Sequence, residues 1–263
     1  MSESNLPLAT RRAVVTGAGR GIGRAIALAL AAAGTDVALC ARSHAELEQV
    51  AEEVRALGRR ALALPCDVTN ATAVARMAEE AAAGLGGIDI LVNNAGAAAS
   101  HKFVDHPDEL WHHMLAVNLT SVYYVTKAFV PQMVAQRSGR VVTIASIAAK
   151  IGARYTAAYT ASKHGVLGLT RALAAELVGY NITVNAICPS YVDTQMTDGS
   201  IANIVKRTGM NEAQARETLE KMSPQARLIA PGEIAALTVY LAQESSRGIN
   251  GQAINVDGGG VMF

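Results

Sequence analysis

A tyrosine and a lysine past the middle of the chain have the types and the spacing of a proton-transfer pair. Tyr159 and Lys163 stand four residues apart in a segment that reads as helical, so their side chains share one helix face. An ammonium close to a phenol stabilises the phenolate and would lower the tyrosine pKa from its usual value of about 10. Such a phenol can exchange protons with an alcohol or a ketone near neutral pH. Ser146, which follows an apolar run, could hold the same substrate oxygen.

A glycine-rich turn follows the first apolar run and opens a helix. In the segment Thr16–Gly23 (TGAGRGIG), three glycines fit a G-x-x-x-G-x-G spacing. Glycines permit a tight turn and a close approach of a diphosphate, and the open N-terminus of the helix favours an anion. The turn therefore predicts a dinucleotide site, with a purely structural turn as the alternative. The predicted contacts in this turn are Gly17, Arg20, Gly21, Ile22 and Gly23.

The end of the second apolar run bears on which dinucleotide is bound. An NAD site usually has Asp or Glu there, roughly 20 residues past the glycines, to accept hydrogen bonds from the ribose 2′-hydroxyl. Here the run ends in Cys40-Ala41-Arg42-Ser43, without a carboxylate. Arg42 can pair with a 2′-phosphate, beside Ser43, and Arg20 could reach the same group. We therefore predict NADP(H) in preference to NAD(H). The alternative is that Arg42 is a solvated residue at a helix start.

Two further run ends predict cofactor contacts. Asp67 and Val68 follow the third run, where the carboxylate could accept from the adenine amino group and the valine could line the adenine pocket. Asp67 or Thr69 could instead cap the next helix. Asn94-Ala95-Gly96 follows the fourth run, and its small residues would let the backbone approach the cofactor ribose. The asparagine could also tie adjacent strands together.

The elements that must position these residues alternate along the chain. Seven short apolar runs, from Ala13–Thr16 to Gln252–Val256, are separated by helical patterns, the longest at about Asp108–Gln136 and Tyr155–Val178. Runs without strict alternation are typical of strands covered on both faces, and such strands pair in parallel through right-handed crossovers. We predict an α/β fold, a doubly wound parallel sheet of about seven strands with helices on both faces. Residues 1–263 would form a single domain, with ligands beyond the carboxyl ends of the strands.

Composition excludes several classes of protein. The 263 residues are 51% hydrophobic and 17% charged with a net charge of +1, which argues against a disordered chain and against nucleic-acid binding. The three cysteines form no C-x-x-C pair and the histidines lack a ligand pattern, so no metal site is predicted. No apolar stretch approaches the roughly 20 residues of a spanning helix, and the first ten residues lack a signal-peptide pattern. We expect a cytoplasmic protein without membrane contact.

Taken together, the motifs resemble those of a known family. From about Arg12 to Gly260 the chain is similar to the short-chain dehydrogenases/reductases, most of all to their 3-oxoacyl reductase branch. The residues that carry the resemblance are the glycine turn, Asn93–Gly96 (NNAG), Asn118 in Val-Asn-Leu, Ser146 and Tyr159–Lys163 (YTASK). The resemblance implies a Rossmann-like fold and hydride transfer between NAD(P)H and a carbonyl or an alcohol.

The resemblance also implies a role for each residue of a catalytic tetrad. Tyr159 would be the general acid and base, and Lys163 would bind the nicotinamide ribose and tune Tyr159. Ser146 would orient the substrate oxygen. Asn118 would hold a water that extends a proton relay from Lys163.

The residues after the sixth run would surround the nicotinamide ring. The resemblance has the turn that begins at Pro189 face the ring, Tyr191 and Val192 line the nicotinamide pocket, and Thr194 bond the carboxamide. Serine follows Pro189 where the family usually has glycine, which could shift the turn. The predicted substrate contacts are Ser146, Tyr159, Tyr191 and Met196.

The long segment Gln195 to Leu228, helical from about Asn211 to Met222, predicts a lid over the active site. The family resemblance implies a homotetramer. We predict an NADPH-dependent reductase that converts a ketone to a secondary alcohol, with the ketone either free or an acyl thioester on coenzyme A or a carrier protein. Two alternatives stay open, an NAD(P)-dependent dehydrogenase of a secondary alcohol, hydroxy acid or sterol, and a non-catalytic dinucleotide-sensing protein.

Overall fold

Seven strands form a single parallel sheet in the computed structural model, which describes residues 6–263 and so leaves out the first five residues of the predicted domain. The strands are β1 (Arg12–Thr16), β2 (Asp36–Ala41), β3 (Ala61–Pro65), β4 (Ile90–Asn93), β5 (Gly139–Ile144), β6 (Ile182–Pro189) and β7 (Ala253–Val256). Their order across the sheet is β3-β2-β1-β4-β5-β6-β7, and every neighbouring pair is parallel.

Helices cover both faces of this sheet. They are α1 (Gly21–Ala32), α2 (His44–Ala56), α3 (Ala71–Leu85), α4 (Asp108–Leu115), α5 (Ser121–Gln136), α6 (Ala157–Leu177), α7 (Gln195–Thr208), α8 (Glu212–Glu220) and α9 (Pro231–Ala242). One hydrophobic core joins the sheet to α1, α2 and α9, and a second joins its other face to α3, α5 and α6. Because both faces are buried, central strands such as β1 (RAVVT) and β4 (ILVN) lack polar alternation. The predicted fold class is confirmed.

The chain reverses its direction of travel across the sheet beside β1. It builds β1, β2 and β3 outward on one side, then returns to place β4 against the other side of β1. Such a topological switch leaves a crevice beyond the carboxyl ends of the two strands, where ligands of open α/β sheets bind. The glycine turn and the Asn94-Ala95-Gly96 segment leave the sheet at this crevice.

Three helical segments differ from their sequence predictions. The long helix predicted over Asp108–Gln136 is interrupted by a π-helical turn at Ala116–Thr120. The helix predicted from Tyr155 begins at Ala157, because Tyr155 has a left-handed φ of 68° that no α-helix contains. The lid segment holds α7 (QMTDGSIANIVKRT) as well as the expected α8, and α7 was not predicted from the sequence.

Within residues 6–263, no helix is both long and apolar enough to cross a bilayer. In the same part of the chain, no group of three or more His, Cys, Asp or Glu side chains could hold a metal ion.

Candidate active site

The glycine turn is shaped by two positions that exclude a side chain. Gly17 has a φ of 64°. A Cβ on Gly23 would lie 2.1 Å from the carbonyl oxygen of Gly17 and 2.5 Å from Nδ2 of Asn94. Helix α1 then starts at Gly21 with Ile22 in its first turn, without an acidic residue there and without a side-chain cap from Arg20. The open N–H groups and the positive end of the helix dipole form a site suited to a diphosphate.

Asn94 fastens this turn to the end of β4. Its Nδ2 donates to the carbonyl oxygens of Thr16 (2.9 Å) and Gly17 (3.1 Å). Its main-chain N–H and that of Ala95 both donate to Oγ1 of Thr16, at 2.9 and 3.1 Å. The strand-tying role considered for the asparagine is therefore present in the structure, and Asn94 holds the backbone that faces the crevice.

The end of β2 presents a cation, as its sequence predicts. Arg42 is exposed, and Ser43 caps α2 by accepting the N–H of Glu46 at 3.3 Å. Arg20 donates to Oε1 of Gln195 at 2.7 Å, and its guanidinium lies 3.8 Å from the Glu46 carboxylate. Sequence reasoning missed Glu46, although the Ser43-x-x-Glu46 spacing of a capping box could have placed it at this helix start.

Asp67 is held by the residue two positions on. Its Oδ1 accepts from the main-chain N–H (2.9 Å) and the hydroxyl (2.8 Å) of Thr69. These hydrogen bonds, with Arg42 as a weaker influence, lower the pKa of Asp67, so the carboxylate is charged at neutral pH. The helix cap proposed for Asp67 or Thr69 is wrong, because Asn70 caps α3 by accepting the N–H of Ala73. Val68 is buried beside it.

Asn118 lies inside the π-helical turn and is buried. Its Oδ1 accepts from the N–H of Ala97 at 2.9 Å, and its Nδ2 donates to the carbonyl of Ala97 at 3.0 Å and to Oγ of Ser162 at 3.3 Å. A Cβ on Gly96 would lie 3.0 Å from Oδ1 of Asn118 and 3.8 Å from Nζ of Lys163. A π turn re-aims side chains within a helix, and here it directs Asn118 at the loop after β4.

The structure brings Ser146, Tyr159 and Lys163 together. Ser146 follows β5, and Tyr159 and Lys163 share one face of α6. The Lys163 ammonium donates to the carbonyl of Ile144 at 3.0 Å and lies 5.8 Å from the centre of the Tyr159 ring. Burial lowers the pKa of Lys163 from 10.5 to about 8. Lys163 is thus mostly charged at neutral pH, but its proton is held less tightly than in water.

The pKa of Tyr159 differs from the sequence prediction. Burial raises it above 10, while a hydrogen bond from Ser146 acts in the opposite direction. Lys163 was expected to lower this pKa, but its ammonium faces the Ile144 carbonyl, and the desolvation of the phenol outweighs any attraction. A Tyr159 with a raised pKa is protonated at neutral pH, which is the form that can donate a proton.

The residues after β6 lie between the sheet and the lid segment. Pro189 ends the strand, Val192 is buried, and the methyl carbon of Thr194 would lie 3.3 Å from a Cβ on Gly21. Thr194 thus sits against the glycine turn. The serine after Pro189 is not among the described residues with positive φ, so this turn does not require glycine.

The two residues predicted only for substrate contact differ in their surroundings. Tyr191 is close enough to Tyr159 to influence its pKa, and its own pKa is raised by burial of the phenol. Met196 projects from α7 with 52% of its surface exposed. Tyr191 therefore lies in the neighbourhood of Tyr159, and substrate contact stays a prediction for both Tyr191 and Met196.

A cavity of about 550 Å³ lies at the start of α6. The position of Arg154 and Tyr155 just before Tyr159 in the sequence predicts that they border the substrate mouth. The walls of the cavity include His101 and Phe103 from the loop after β4, and Arg154 and Tyr155 from the loop after β5. Ala157 and Thr160, which flank Tyr159 in the sequence, close it on the helix side.

Known proteins resemble this chain over nearly its whole length. Residues 11–204 match the family described as short chain dehydrogenase. D-beta-hydroxybutyrate dehydrogenase of Rhizobium meliloti (strain 1021) is 37% identical over 253 residues, 95% of this chain and 98% of that protein. The 3-oxoacyl-(acyl-carrier-protein) reductase FabG of Staphylococcus aureus (strain Mu50 / ATCC 700699) is 36% identical over 254 residues, 96% and 99% of the two chains.

A solved structure agrees with these relatives. The crystal structure of an actinorhodin polyketide ketoreductase variant with NADPH superposes with a TM-score of 0.93 at 35% identity, covering 96% of this chain and 98% of that one. The fold and the sequence matches define an oxidoreductase with a dinucleotide-binding sheet. The chain belongs to the short-chain dehydrogenase/reductase family, and the resemblance predicted from its motifs is confirmed.

Proposed function

We propose that this chain is an NADPH-dependent ketone reductase that forms a secondary alcohol from a 3-oxoacyl or similar ketone. The observation that carries the proposal is the convergence of Ser146, Tyr159 and Lys163 beside the crevice that the glycine turn opens. A protonated Tyr159 and a nearby hydroxyl can receive a carbonyl oxygen and complete its conversion to an alcohol. The reductase FabG and the NADPH-containing ketoreductase support the direction and the kind of substrate.

The residues of the crevice fit a dinucleotide. Gly17 and Gly23 lack side chains and so leave space for a diphosphate. The uncapped N-terminus of α1 supplies free N–H groups and a partial positive charge to bind it. Arg42, without a carboxylate at the end of β2, favours a 2′-phosphate and hence NADP(H) over NAD(H). When bound, the nicotinamide cofactor supplies the hydride. The residues proposed to hold it are Gly17, Arg20, Gly21, Ile22, Gly23, Arg42, Ser43, Asp67, Val68, Asn94, Ala95, Gly96, Tyr159, Lys163, Pro189, Val192 and Thr194.

The chain's own residues divide the proton chemistry between them. Ser146 orients the carbonyl oxygen, and its hydrogen bond to Tyr159 keeps the phenol aimed at the same atom. Tyr159 donates its proton to the oxygen as negative charge develops there. Lys163, with a pKa of about 8, lies within reach to steady the resulting phenolate and return a proton. Asn118 positions the loop after β4 and, as the family resemblance implies, holds the water that continues the relay.

The remaining predictions belong to the same proposal. Residues 1–263 form one domain. The segment 195–228, which contains α7 and α8, acts as a lid over the substrate, and Tyr191 and Met196 contact that substrate. The lid has its own small core of Ile201, Ala215 and Leu219. Side-chain contacts join it to the body, among them Arg20 to Gln195, Asn203 to Ser100 and Arg216 to Asp193. A homotetramer and a cytoplasmic location stay predictions from the sequence.

A second candidate is the oxidation of a 3-hydroxy acid with NAD(P)⁺. It is favoured by the 37% identity to D-beta-hydroxybutyrate dehydrogenase over 95% of the chain. The same side chains would serve, with Tyr159 accepting a proton in place of donating one. The two candidates therefore differ in substrate and cofactor, not in the catalytic residues.

Absorbance at 340 nm with purified protein separates the candidates. NADPH and NADH would each be tested against acetoacetyl-CoA, a β-keto ester, a cyclic ketone and an aryl ketone, and NAD⁺ and NADP⁺ against 3-hydroxybutyrate. Faster NADPH oxidation with the 3-oxo compounds supports the reductase. Turnover confined to 3-hydroxybutyrate or acetoacetate with NAD(H) favours the dehydrogenase. NADPH binding without turnover of any compound would point to the sensor alternative.

A further inference from the structure

A carboxylate lies against the glycine turn. Glu46 is in the first turn of α2, where its N–H donates to Oγ of Ser43. A Cβ on Gly19 would lie 2.9 Å from Cβ and 3.0 Å from Oε2 of Glu46. The lack of a side chain at Gly19 therefore gives the glutamate the space that it occupies. Its negative charge is held beside a turn that is otherwise suited to anions.

The same carboxylate has Arg20 as its partner. Nη1 of Arg20 lies 3.8 Å from Oε1 of Glu46, and that nitrogen also donates to Oε1 of Gln195 at 2.7 Å. The side chains of Arg20 and Glu46 are 63% and 41% exposed. Because water screens such a pair, it contributes little to stability. Arg20 can therefore exchange Glu46 for another anion without disturbing the fold.

Arg20 stands on one side of the region in which a 2′-phosphate is proposed to bind. The N–H of Ala18 donates to the carbonyl of Cys40 at 3.1 Å, which joins the glycine turn to the end of β2. Arg20 belongs to the first of these segments, and Arg42 follows the second. A 2′-phosphate that contacts both arginines has to take Arg20 from Glu46.

Glu46 is also the first acidic residue after β2. NAD sites usually have such a residue, about 20 positions past the glycines, to accept from the ribose 2′-hydroxyl. The end of β2 itself has Arg42 and no carboxylate. The site thus combines arginines that favour a 2′-phosphate with a carboxylate that opposes it, and these opposing charges meet at Arg20.

We propose that Glu46 is a specificity-determining residue that weakens the preference for NADP(H) by competing with the 2′-phosphate for Arg20. A charge-assisted hydrogen bond from arginine to phosphate is strong, so the phosphate still gains Arg20, but the lost pair with Glu46 is subtracted from its binding. NAD(H) has no 2′-phosphate and leaves the Arg20–Glu46 pair in place. This inference rests on the dinucleotide site of the proposed function, and not on which ketone is reduced.

Binding of NADPH and NADH, which differ only in the 2′-phosphate, tests this inference. Both dissociation constants are measured by fluorescence titration without a ketone. Glu46→Gln keeps the size of the side chain and removes its charge. We expect it to tighten NADPH binding about three- to tenfold and to change NADH binding less than about twofold. Glu48→Gln is the matched control, because it removes the same charge from a different face of α2, where Glu48 pairs with Arg55, and it should leave both constants unchanged.

Two further measurements separate competition for Arg20 from other causes. In an Arg20→Ala background, Glu46→Gln should tighten NADPH binding less than about twofold, because there is no arginine for it to release. Raising the salt concentration from about 50 mM to about 500 mM should also reduce the gain, because exposed charges are then screened over a shorter distance. A purely structural effect of the substitution would survive both changes.

The ratio of the NADH and NADPH dissociation constants decides the outcome. An unchanged ratio in Glu46→Gln overturns the inference. So does a gain of the same size in Glu48→Gln, which would reflect net charge alone, or a gain that survives in full in the Arg20→Ala background. A native chain that binds NADPH but reduces no ketone would refute the proposed reductase, while the role of Glu46 would still stand or fall by these ratios. A native chain that binds neither dinucleotide would overturn both.

Discussion

The buried ammonium of Lys163 donates a hydrogen bond to the main-chain carbonyl of Ile144 at 3.0 Å. Ile144 is the last residue of β5, two positions before Ser146, so one strand end both presents the serine and fixes the lysine. This contact holds the ammonium of Lys163 at 5.8 Å from the centre of the Tyr159 ring. It also means that the charge is buried at a cost in stability, since the pKa falls to about 8.

That cost predicts a trade between stability and activity at Lys163. Because folding lowers its pKa from 10.5 to about 8, the unfolded chain binds more protons between these values, and stability rises with pH across that window. Below pH 8 the penalty is present in full. Lys163→Met should therefore raise the free energy of unfolding at pH 7 by about 1–3 kcal/mol, while ketone reduction falls on the order of a hundredfold.

Urea unfolding at pH 7 and at pH 10 measures this effect. The advantage of the methionine variant should shrink at pH 10, where the native lysine is largely neutral. A variant that is less stable than the native chain at pH 7 would show that the hydrogen bond to Ile144 outweighs the desolvation of the ammonium.

The close packing at Gly23 predicts that alanine substitution will weaken dinucleotide binding there but not at Gly168. A Cβ at Gly23 would lie 2.1 Å from the Gly17 carbonyl, so Gly23→Ala must displace the turn that faces the diphosphate. We expect dinucleotide binding to weaken at least tenfold. Gly168 lies within α6, where a Cβ would meet nothing within 4 Å. Gly168→Ala should leave binding unchanged and stabilise the protein by about 0.5–1 kcal/mol.

Fluorescence titration with NADPH and thermal unfolding test this pair of variants. Equal binding by Gly23→Ala and the native chain would show that the turn does not hold the cofactor.

Arg42 should control the choice between the two dinucleotides. A charge-assisted hydrogen bond is worth about 1.5–3 kcal/mol, so Arg42→Ala should lower kcat/KM for NADPH roughly ten- to hundredfold. The value for NADH should change less than about twofold, because NADH lacks the 2′-phosphate. Arg247→Ala removes an arginine from the surface turn after α9 and is the control. Parallel losses for both cofactors in Arg42→Ala would assign this arginine a structural role.

The sequence alone predicted those parts of the fold and site that depend on residue type and short-range spacing. The apolar runs marked the strands because both faces of the sheet are covered, and Gly17 and Gly23 marked the turn because no other residue fits there. The four-residue spacing placed Tyr159 and Lys163 on one face of α6 because a helix has a fixed period.

Other features depend on contacts between segments that are distant in the sequence, and these features could not be predicted from local sequence patterns. The π turn around Asn118 is set by its bonds to Ala97 in another loop. The conformation of Tyr155 depends on the N–H of His101. The raised pKa of Tyr159 reflects how deeply the finished fold buries the phenol, which the spacing to Lys163 does not reveal. Residue type and spacing thus predicted which groups meet, but not their burial or strain.

The most direct test of the account is the rate of NADPH oxidation with ethyl acetoacetate for Tyr159→Phe against the native chain. Tyr240→Phe, which changes an exposed tyrosine on α9, is the matched control. If Tyr159 supplies the proton, its variant should lose a factor of about 10² to 10⁴ in kcat while still binding NADPH, and the control should keep its rate. Full turnover by Tyr159→Phe would contradict the proposed mechanism.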